Sequence, residues 1–182
     1  MHTLEAISAR RSIRKFKDTP LPDEIIEQIL HAGTLAPSGK NRQPWRFVVV
    51  KGEQRAEMVR VMREGIAKRK ALGIQVGSSE NSARIMAQAP VTVFVFNPYA
   101  QGEWFKDRDI GDALMNVVDV QSAGAAIQNM LLAATELGIG SLWIGDVFCA
   151  YQELGAWLGE THQMIAAVSF GYADESPNPR PR

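Results

Sequence analysis

A long apolar helical pattern at residues 110–137 constrains the fold more than any other feature of the sequence. Apolar side chains recur along it at helical spacing, and Gly138 follows as a residue type that ends helices. Its middle, Ser122 to Ala126, carries so little side-chain bulk that another backbone can approach closely. A helix this apolar is predicted to lie at the centre of the molecule.

Apolar runs typical of β-strands alternate with further helical patterns around this segment. The strands are predicted at residues 46–51, 91–96, 141–145 and 164–171, the second ending at Asn97-Pro98. The other helices are predicted at residues 3–11, 23–35, 53–71, 82–89 and 151–158. Residues 73–82 show no clear period and are expected to form a loop. This alternation predicts a mixed sheet with helices around it.

Composition limits the classes of protein that the chain can represent. With 182 residues, 46% of them hydrophobic, it can form one domain with a sizeable core. Its net charge is zero, so no global field draws it to nucleic acid or to a membrane. The single cysteine, Cys149, is expected to be a small buried hydrophobe, and the three separated histidines show no metal-ligand spacing. No signal-peptide or membrane-spanning pattern is present, so we expect a soluble, cytoplasmic protein without a metal site.

A basic run at residues 10–15 departs from this neutral background. It places four cations and the hydroxyl of Ser12 within six positions. Like charges this close repel one another in water unless an anion lies among them. Guanidinium groups suit a phosphate dianion, and a serine hydroxyl adds a donor. A solvated basic helix end would explain the same residues.

Three further stretches are candidates for ligand contact. Residues 36–45 form a loop rich in proline, amides and hydroxyls, and residues 139–146 form a short strand edged by glycines. Residues 98–109 carry Tyr99, Trp104 and Phe105, which would serve as a lid over a flat ligand or as a packed corner. Dinucleotide, phosphate-loop and nucleophile-elbow motifs are absent from the sequence. An enzyme of this kind is expected to rely on a bound cofactor.

Five segments together resemble the nitroreductase family of FMN-dependent NAD(P)H oxidoreductases, and they occur in the family's order. They are Arg10–Phe16, Ala36–Trp45, Ala123–Met130, Gly138–Gly145 and Gly171–Arg182. The resemblance implies a single α+β domain over residues 1–182, with a mixed, mostly antiparallel central sheet flanked by helices. It also implies an intertwined homodimer with FMN at the subunit interface. Residues 97–110 would be a variable substrate-side loop, and residues 172–182 an extended C-terminal tail that crosses to the partner.

The resemblance also implies which residues bind the cofactor. Arg10, Ser12 and a tail arginine, Arg180 or Arg182, would hold the FMN phosphate, with Arg11 beside them. Arg14 would lie near the pyrimidine edge of the flavin as electrostatic support. The residues reaching the flavin from the other subunit would be Pro37, Ser38, Gly39 and Asn41. The backbone along the flavin ring would be that of Leu142, Trp143, Ile144 and Gly145, with one N–H directed at N5. No side chain is predicted to act as the catalyst.

The implied reaction is ping-pong hydride transfer from NADH or NADPH through flavin N5 to an oxidised acceptor such as a nitroaromatic or a quinone. No ribose-phosphate motif selects between the two nucleotides. A first alternative is a flavoenzyme of the same fold that dehalogenates, dehydrogenates or cleaves flavin, although the short 97–110 region argues against it. A second is a non-enzymatic module that grips nucleic acid or an acidic protein with Arg10 to Lys15. Zero net charge and the lack of an interleaved aromatic platform count against that module.

Overall fold

The computed structural model of the protein describes residues 2–101 and 109–179. The helices in these ranges are α1 (Thr3–Ala9), α2 (Asp23–Thr34), α3 (Gln54–Ala71), α4 (Ser79–Gln88), α5 (Ile110–Glu136) and α6 (Tyr151–Leu158). The strands are β1 (Arg46–Lys51), β2 (Val91–Gln101), β3 (Gly140–Ile144) and β4 (His162–Gly171). Short 3-10 turns occupy Gly39–Asn41 and Asp146–Ala150.

The four strands form one sheet in the order β1-β2-β4-β3, and each neighbouring pair is antiparallel. The central strand β2 is buried on both faces because its side chains alternate between two apolar cores. Phe94 and Phe96 belong to one core, and Val93 and Val95 belong to the other. This two-sided burial explains why the strand reads as a continuous apolar run instead of alternating with polar residues.

Helices cover both faces of the sheet. One core receives Met58 and Met62 of α3 and Met86 of α4, and the other receives Ile29 of α2 and Met130 of α5. The central position predicted for the long helix is confirmed, since its small residues Ala123 and Ala126 are fully buried. The chain therefore has an α+β fold with an antiparallel sheet between two helical layers, and the predicted fold class is confirmed.

The second strand does not end at Asn97-Pro98 as predicted, because β2 continues to Gln101. Its pairing with β4 is irregular here, with register shifts on either side of Asn97. The fully buried Asn97 amide donates to Asn116 Oδ1 at 3.4 Å and to Gln163 Oε1 at 3.2 Å. Because its buried amide finds these partners, Asn97 can lie within the strand, although Asn97-Pro98 is a sequence that usually ends one.

The helix predicted at residues 82–89 begins earlier, at Ser79, so residues 79–82 are helical and not part of a loop. The hydroxyl groups of Ser78 and Ser82 donate to Asp146 Oδ2 at 2.6 and 2.5 Å. These bonds dock the first turn of α4 onto the 3-10 turn that follows β3. Because the partner lies far along the chain, the periodicity of the segment gives no sign of it.

Among the described helices, none has the length and apolar character needed to cross a membrane.

A buried carboxylate joins β1 to the start of β4. The Glu160 side chain is 4% exposed and accepts from Arg46 Nε at 2.5 Å, with His162 Nδ1 at 2.8 Å from its other oxygen. Burial raises the pKa of Glu160, but the hydrogen bonds with His162 and Arg46 together outweigh it, so the pKa lies below its ordinary value of 4.5. Ionised Glu160 therefore stabilises the fold.

We expect Glu160→Gln to lower the free energy of unfolding by about 1–3 kcal/mol at neutral pH, because it removes a charged acceptor from two donors. A lowered pKa adds stability above the unfolded-state value of 4.5, and that stability is lost as pH falls through the folded-state pKa. Urea unfolding over this range should show the gap between wild type and variant closing at acid pH. Glu27→Gln, on the exposed side of α2, is the control. A difference in unfolding free energy that does not change with pH would contradict a lowered pKa for Glu160.

Candidate functional site

The basic run lies along the outer edge of β3. Ser12 forms a parallel bridge with Ser141, and the Ile13 N–H donates to the Ser141 carbonyl at 2.9 Å. Ile13 and Phe16 are buried, and a Cβ on Gly140 would lie only 3.0 Å from the Ile13 side chain. The apolar members thus anchor the run, while Arg10, Arg11, Ser12 and Arg14 are left half-buried.

The segment after β4 pairs with the other side of the run. Lys17 N–H donates to the Tyr172 carbonyl and Asp174 N–H to the Lys15 carbonyl, each at 2.9 Å. The Arg14 N–H then donates to the carboxylate of Glu175. The basic run is therefore held between β3 and the start of the C-terminal tail. The two tail arginines, Arg180 and Arg182, lie outside the described residues.

Within residues 2–101 and 109–179, the guanidinium groups of the run bond to backbone carbonyls and not to carboxylates. Arg11 Nη1 donates to the carbonyls of Ser8 and Arg10 at 2.6 and 2.8 Å, which caps the end of α1. Arg14 Nη1 donates to the Ser12 carbonyl at 3.3 Å. In the described part of the chain, Arg10, Arg11 and Arg14 make no ion pair with an acidic side chain. Half-buried guanidinium groups that make no ion pair in this part of the chain, beside a serine, fit a phosphate group.

The loop at residues 36–45 has an unusual backbone. Lys40, Asn41 and Gln43 have positive φ angles of 53°, 54° and 52°. Asparagine tolerates this left-handed region, but lysine and glutamine do not favour it. Such residues cost of the order of 1–3 kcal/mol each and persist only where their surroundings impose the conformation. Within the loop, Ser38 Oγ accepts from the Gln43 N–H at 2.9 Å.

Helix α5 supplies the external contacts of this loop. The Gly39 N–H donates to Ser122 Oγ at 3.3 Å, and a Cβ on Gly39 would lie 2.4 Å from Val118 Cγ1. Arg42 forms two hydrogen bonds with Asp119, at 3.1 Å from Nε and 3.3 Å from Nη2. The loop thus needs glycine at position 39 and is fastened to α5 on both sides of its 3-10 turn.

Tyr99, on the last part of β2, completes the support. Its ring lies 4.3 Å from the Arg42 guanidinium, and its hydroxyl donates to the Arg42 carbonyl at 3.0 Å. A cavity of about 310 Å³ opens beside these groups and is lined by Arg42, Tyr99, Asp112, Met115, Asn116 and Asp119. Tyr99 is therefore a contact of the loop at residues 36–45, while Trp104 and Phe105 lie outside the described residues.

Beyond Ser141, where the basic run pairs with it, strand β3 has no backbone partner on its outer edge among the described residues. Leu142 and Ile144 are buried, whereas Trp143 is 42% exposed and its ring lies near Gly124 of α5. Because the Ser141 carbonyl faces the outer edge of the sheet and alternate residues share an edge, the Trp143 N–H faces the same way. A Cβ on Gly145 would meet nothing within 4 Å, so the chain leaves the strand with free space beside it.

Sequence reasoning did not select Arg42, Asp119, Ser122 or Glu175. Their partners are distant in sequence, so spacing carries no sign of the pairs. For Asp119, the sequence did offer one sign, because an acidic residue stands there within an otherwise apolar stretch of α5. Cys149 is half-buried, 2.9 Å from Ser79 Oγ, and packs at the edge of a core. No group of histidine, cysteine and acidic side chains within residues 2–101 and 109–179 is placed to hold a metal ion.

Comparison with known proteins identifies the family. The Nitroreductase family model matches residues 7–172. A protein of Archaeoglobus fulgidus, provisionally named NADH dehydrogenase/NAD(P)H nitroreductase, is 34% identical over 93% of this chain and 84% of its own length. The NADPH-flavin oxidoreductase of Vibrio harveyi is 27% identical over 100% of this chain and 70% of its own length. A provisionally named nitroreductase of Desulfovibrio desulfuricans, crystallised with FMN, is 31% identical with a TM-score of 0.73, covering 100% of this chain and 92% of that one.

The chain belongs to the nitroreductase family. The family predicted from the five segments is confirmed, and so is the class of enzyme, an FMN-dependent NAD(P)H oxidoreductase. The individual cofactor contacts predicted for this chain stay predictions.

We expect Gly39→Ala to lower the free energy of unfolding by about 1–3 kcal/mol, because the new methyl group would overlap Val118. Urea unfolding of four proteins measures this: wild type, Gly39→Ala, Val118→Ala and the double variant. Removing the Val118 methyl groups should recover part of the loss, so the two substitutions should couple. Additive effects would show that Val118 does not restrict position 39.

Proposed function

We propose that the protein reduces a small oxidised organic acceptor, such as a nitroaromatic or a quinone, at the expense of NADH or NADPH in a ping-pong reaction. FMN, held by the residues of the basic run, would supply the two-electron chemistry, with hydride passing through its N5 atom. The observation that carries the proposal is the set of half-buried guanidinium groups at the outer edge of β3, which make no ion pair within the described residues. We also propose a cytoplasmic location, where both nucleotides are available.

The basic run would hold the phosphate of the cofactor. Arg10 and the Ser12 hydroxyl would donate to the phosphate oxygens, and Arg11 would add charge while it caps α1. Burial of Ile13 and Phe16 fixes these donors on the sheet edge, so little ordering is needed on binding. Arg180 or Arg182 would complete the phosphate site from the C-terminal tail.

Arg14 and the edge of β3 would act on the flavin ring. A cation beside the ring favours the addition of electrons, and Arg14 has no acidic partner for its guanidinium among the residues described here. The Trp143 N–H faces the outer edge of the sheet and would donate to the ring, with Leu142, Ile144 and Gly145 beside it. A backbone donor on a paired strand needs no side-chain ordering, so it is already in place before binding.

The loop at residues 36–45 would approach the same cofactor from a second subunit, through Pro37, Ser38, Gly39 and Asn41. An exposed apolar surface supports a homodimer. Leu4 and Ile7 of α1 are exposed, as are Leu114 and Val117 of α5, and the two helices pack together. Burial of this surface against a second copy would build sites shared by two chains.

We expect Leu114→Glu to weaken the dimer by about tenfold or more, because it places a charge in the proposed interface. Light scattering over a dilution series measures the change, and FMN uptake should fall in parallel. Leu72→Glu is the matched control, since Leu72 is an exposed leucine at the end of α3. Wild-type protein that is monomeric throughout the series would overturn the dimer.

The purified protein should show a flavin absorption spectrum, or gain one with added FMN, and the spectrum should bleach anaerobically with NADH or NADPH. Adding a quinone or a nitroaromatic should restore it. The nucleotide that bleaches faster is the donor. A colourless protein that takes up no FMN would overturn the proposal. Flavin destroyed after reduction in air would instead favour the flavin-cleaving alternative.

Arg10→Ala and Arg14→Ala should each weaken FMN binding by about tenfold or more, since each removes a charge-assisted contact. Fluorescence titration of FMN measures this. Lys15→Ala is the matched control, because Lys15 belongs to the same run but is exposed. Equal weakening by all three variants would indicate general attraction by the run and would contradict the assigned contacts. A salt-dependent affinity for nucleic acid without FMN binding would favour the non-enzymatic alternative.

A further inference from the structure

We propose that Arg42 and Asp119 are positioning residues that impose the shape of the loop at residues 36–45 before the cofactor binds. Neither needs to touch FMN. They would act through the backbone of Ser38, Gly39 and Asn41, which the proposed function places on the flavin. The inference rests on that function for the ligand, but the contacts that carry it belong to the chain itself.

The loop cannot hold its conformation unaided. Lys40 and Gln43 lie in the left-handed region without the advantage that glycine or asparagine would bring. Four bonds within the loop oppose this only in part: the Ser38 hydroxyl and carbonyl accept from Gln43 and Asn41, the Gly39 carbonyl accepts from Arg42, and the Gln43 carbonyl accepts from Trp45. A backbone with such local preferences against it needs an external restraint to stay in one shape.

Asp119 supplies a restraint of fixed geometry. Its side chain is 4% exposed and sits on α5, so it cannot follow the loop if the loop moves. Each carboxylate oxygen accepts one hydrogen bond from Arg42. A paired contact between two planar groups fixes orientation as well as distance, which a single contact from lysine cannot do.

Arg42 is held from the opposite side as well. The Tyr99 ring lies against its guanidinium, and the Tyr99 hydroxyl donates to its carbonyl, so both its side chain and its backbone are restrained. Tyr99 is fixed in turn, because its N–H donates at 3.0 Å to Oδ1 of the fully buried Asn97. The loop is thus clamped between α5 and β2.

The neighbouring cavity does not offer a better role for the pair. Among the described lining residues, the cation Arg42 is already matched by Asp119, and Asp112 adds a further negative charge. These residues therefore offer an anionic ligand no free cation. A positioning role explains why the Asp119 carboxylate is buried beside the loop and how Lys40 and Gln43 can keep a left-handed backbone.

The test is FMN titration of apoprotein variants with stoichiometry and dissociation constant measured separately. Asp119→Asn and Arg42→Gln should each raise the dissociation constant by about tenfold or more at full stoichiometry. Arg42→Lys should not restore affinity, because it returns the charge without the paired geometry. The double variant should be no weaker than the worse single one, since the two residues act as a unit. Lys51→Gln, which breaks the exposed ion pair with Asp23, is the control.

Hydrogen exchange of the apoprotein gives a second readout. The Gly39 and Gln43 amides, bonded to Ser122 and Ser38, should exchange about tenfold faster in Asp119→Asn, while amides of β1 keep their rates. A merely structural role would reduce stoichiometry and speed exchange throughout the chain. If the wild type binds FMN and both single variants bind it with the same affinity, this inference alone would be overturned. A wild-type chain that takes up no FMN would overturn the proposed function, and the exchange rates would then show whether the clamp itself exists.

Discussion

The antiparallel pairing of β2 with β4 is the interaction on which the rest of the structure depends. Both strands are buried on both faces, so each face needs its own layer of helices. This demand places α3 and α4 on one side of the sheet and α2 and α5 on the other. It also leaves β1 and β3 at the edges, and β3 is the edge that receives the basic run.

Helix α5 is part of the apolar core and also contacts two parts of the candidate site, the loop at residues 36–45 and strand β3. Ala126 and Met130 pack under the sheet, Val118 and Ser122 contact the loop at residues 36–45, and Gly124 lies beside Trp143. Groups attached to one long, well-packed helix keep their mutual distances. The small residues that bring Trp143 close to α5 therefore serve the site as much as the packing.

Hydrophobic periodicity was enough to predict the strands and most helix limits, because burial of apolar faces decides them. It failed where a polar side chain finds a distant partner. Asn97 extends β2 and Asp146 starts α4 early, each through bonds to residues remote in sequence. The pairing of Arg42 with Asp119 escaped prediction for the same reason. The candidate cofactor residues came from the family resemblance, since arginines, a loop and a short strand are ambiguous one at a time.

Two features of the candidate site go against the local preferences of their residues. The guanidinium groups of Arg10, Arg11 and Arg14 are crowded and make no ion pair within the described ranges, and Lys40 and Gln43 adopt left-handed backbone. In the proposals made above, a bound phosphate would relieve the charge repulsion in the run, and the ion pair with α5 would fix the left-handed loop. One FMN molecule, held by the basic run of one subunit and approached by the loop at residues 36–45 of the other, would explain why the chain retains both departures.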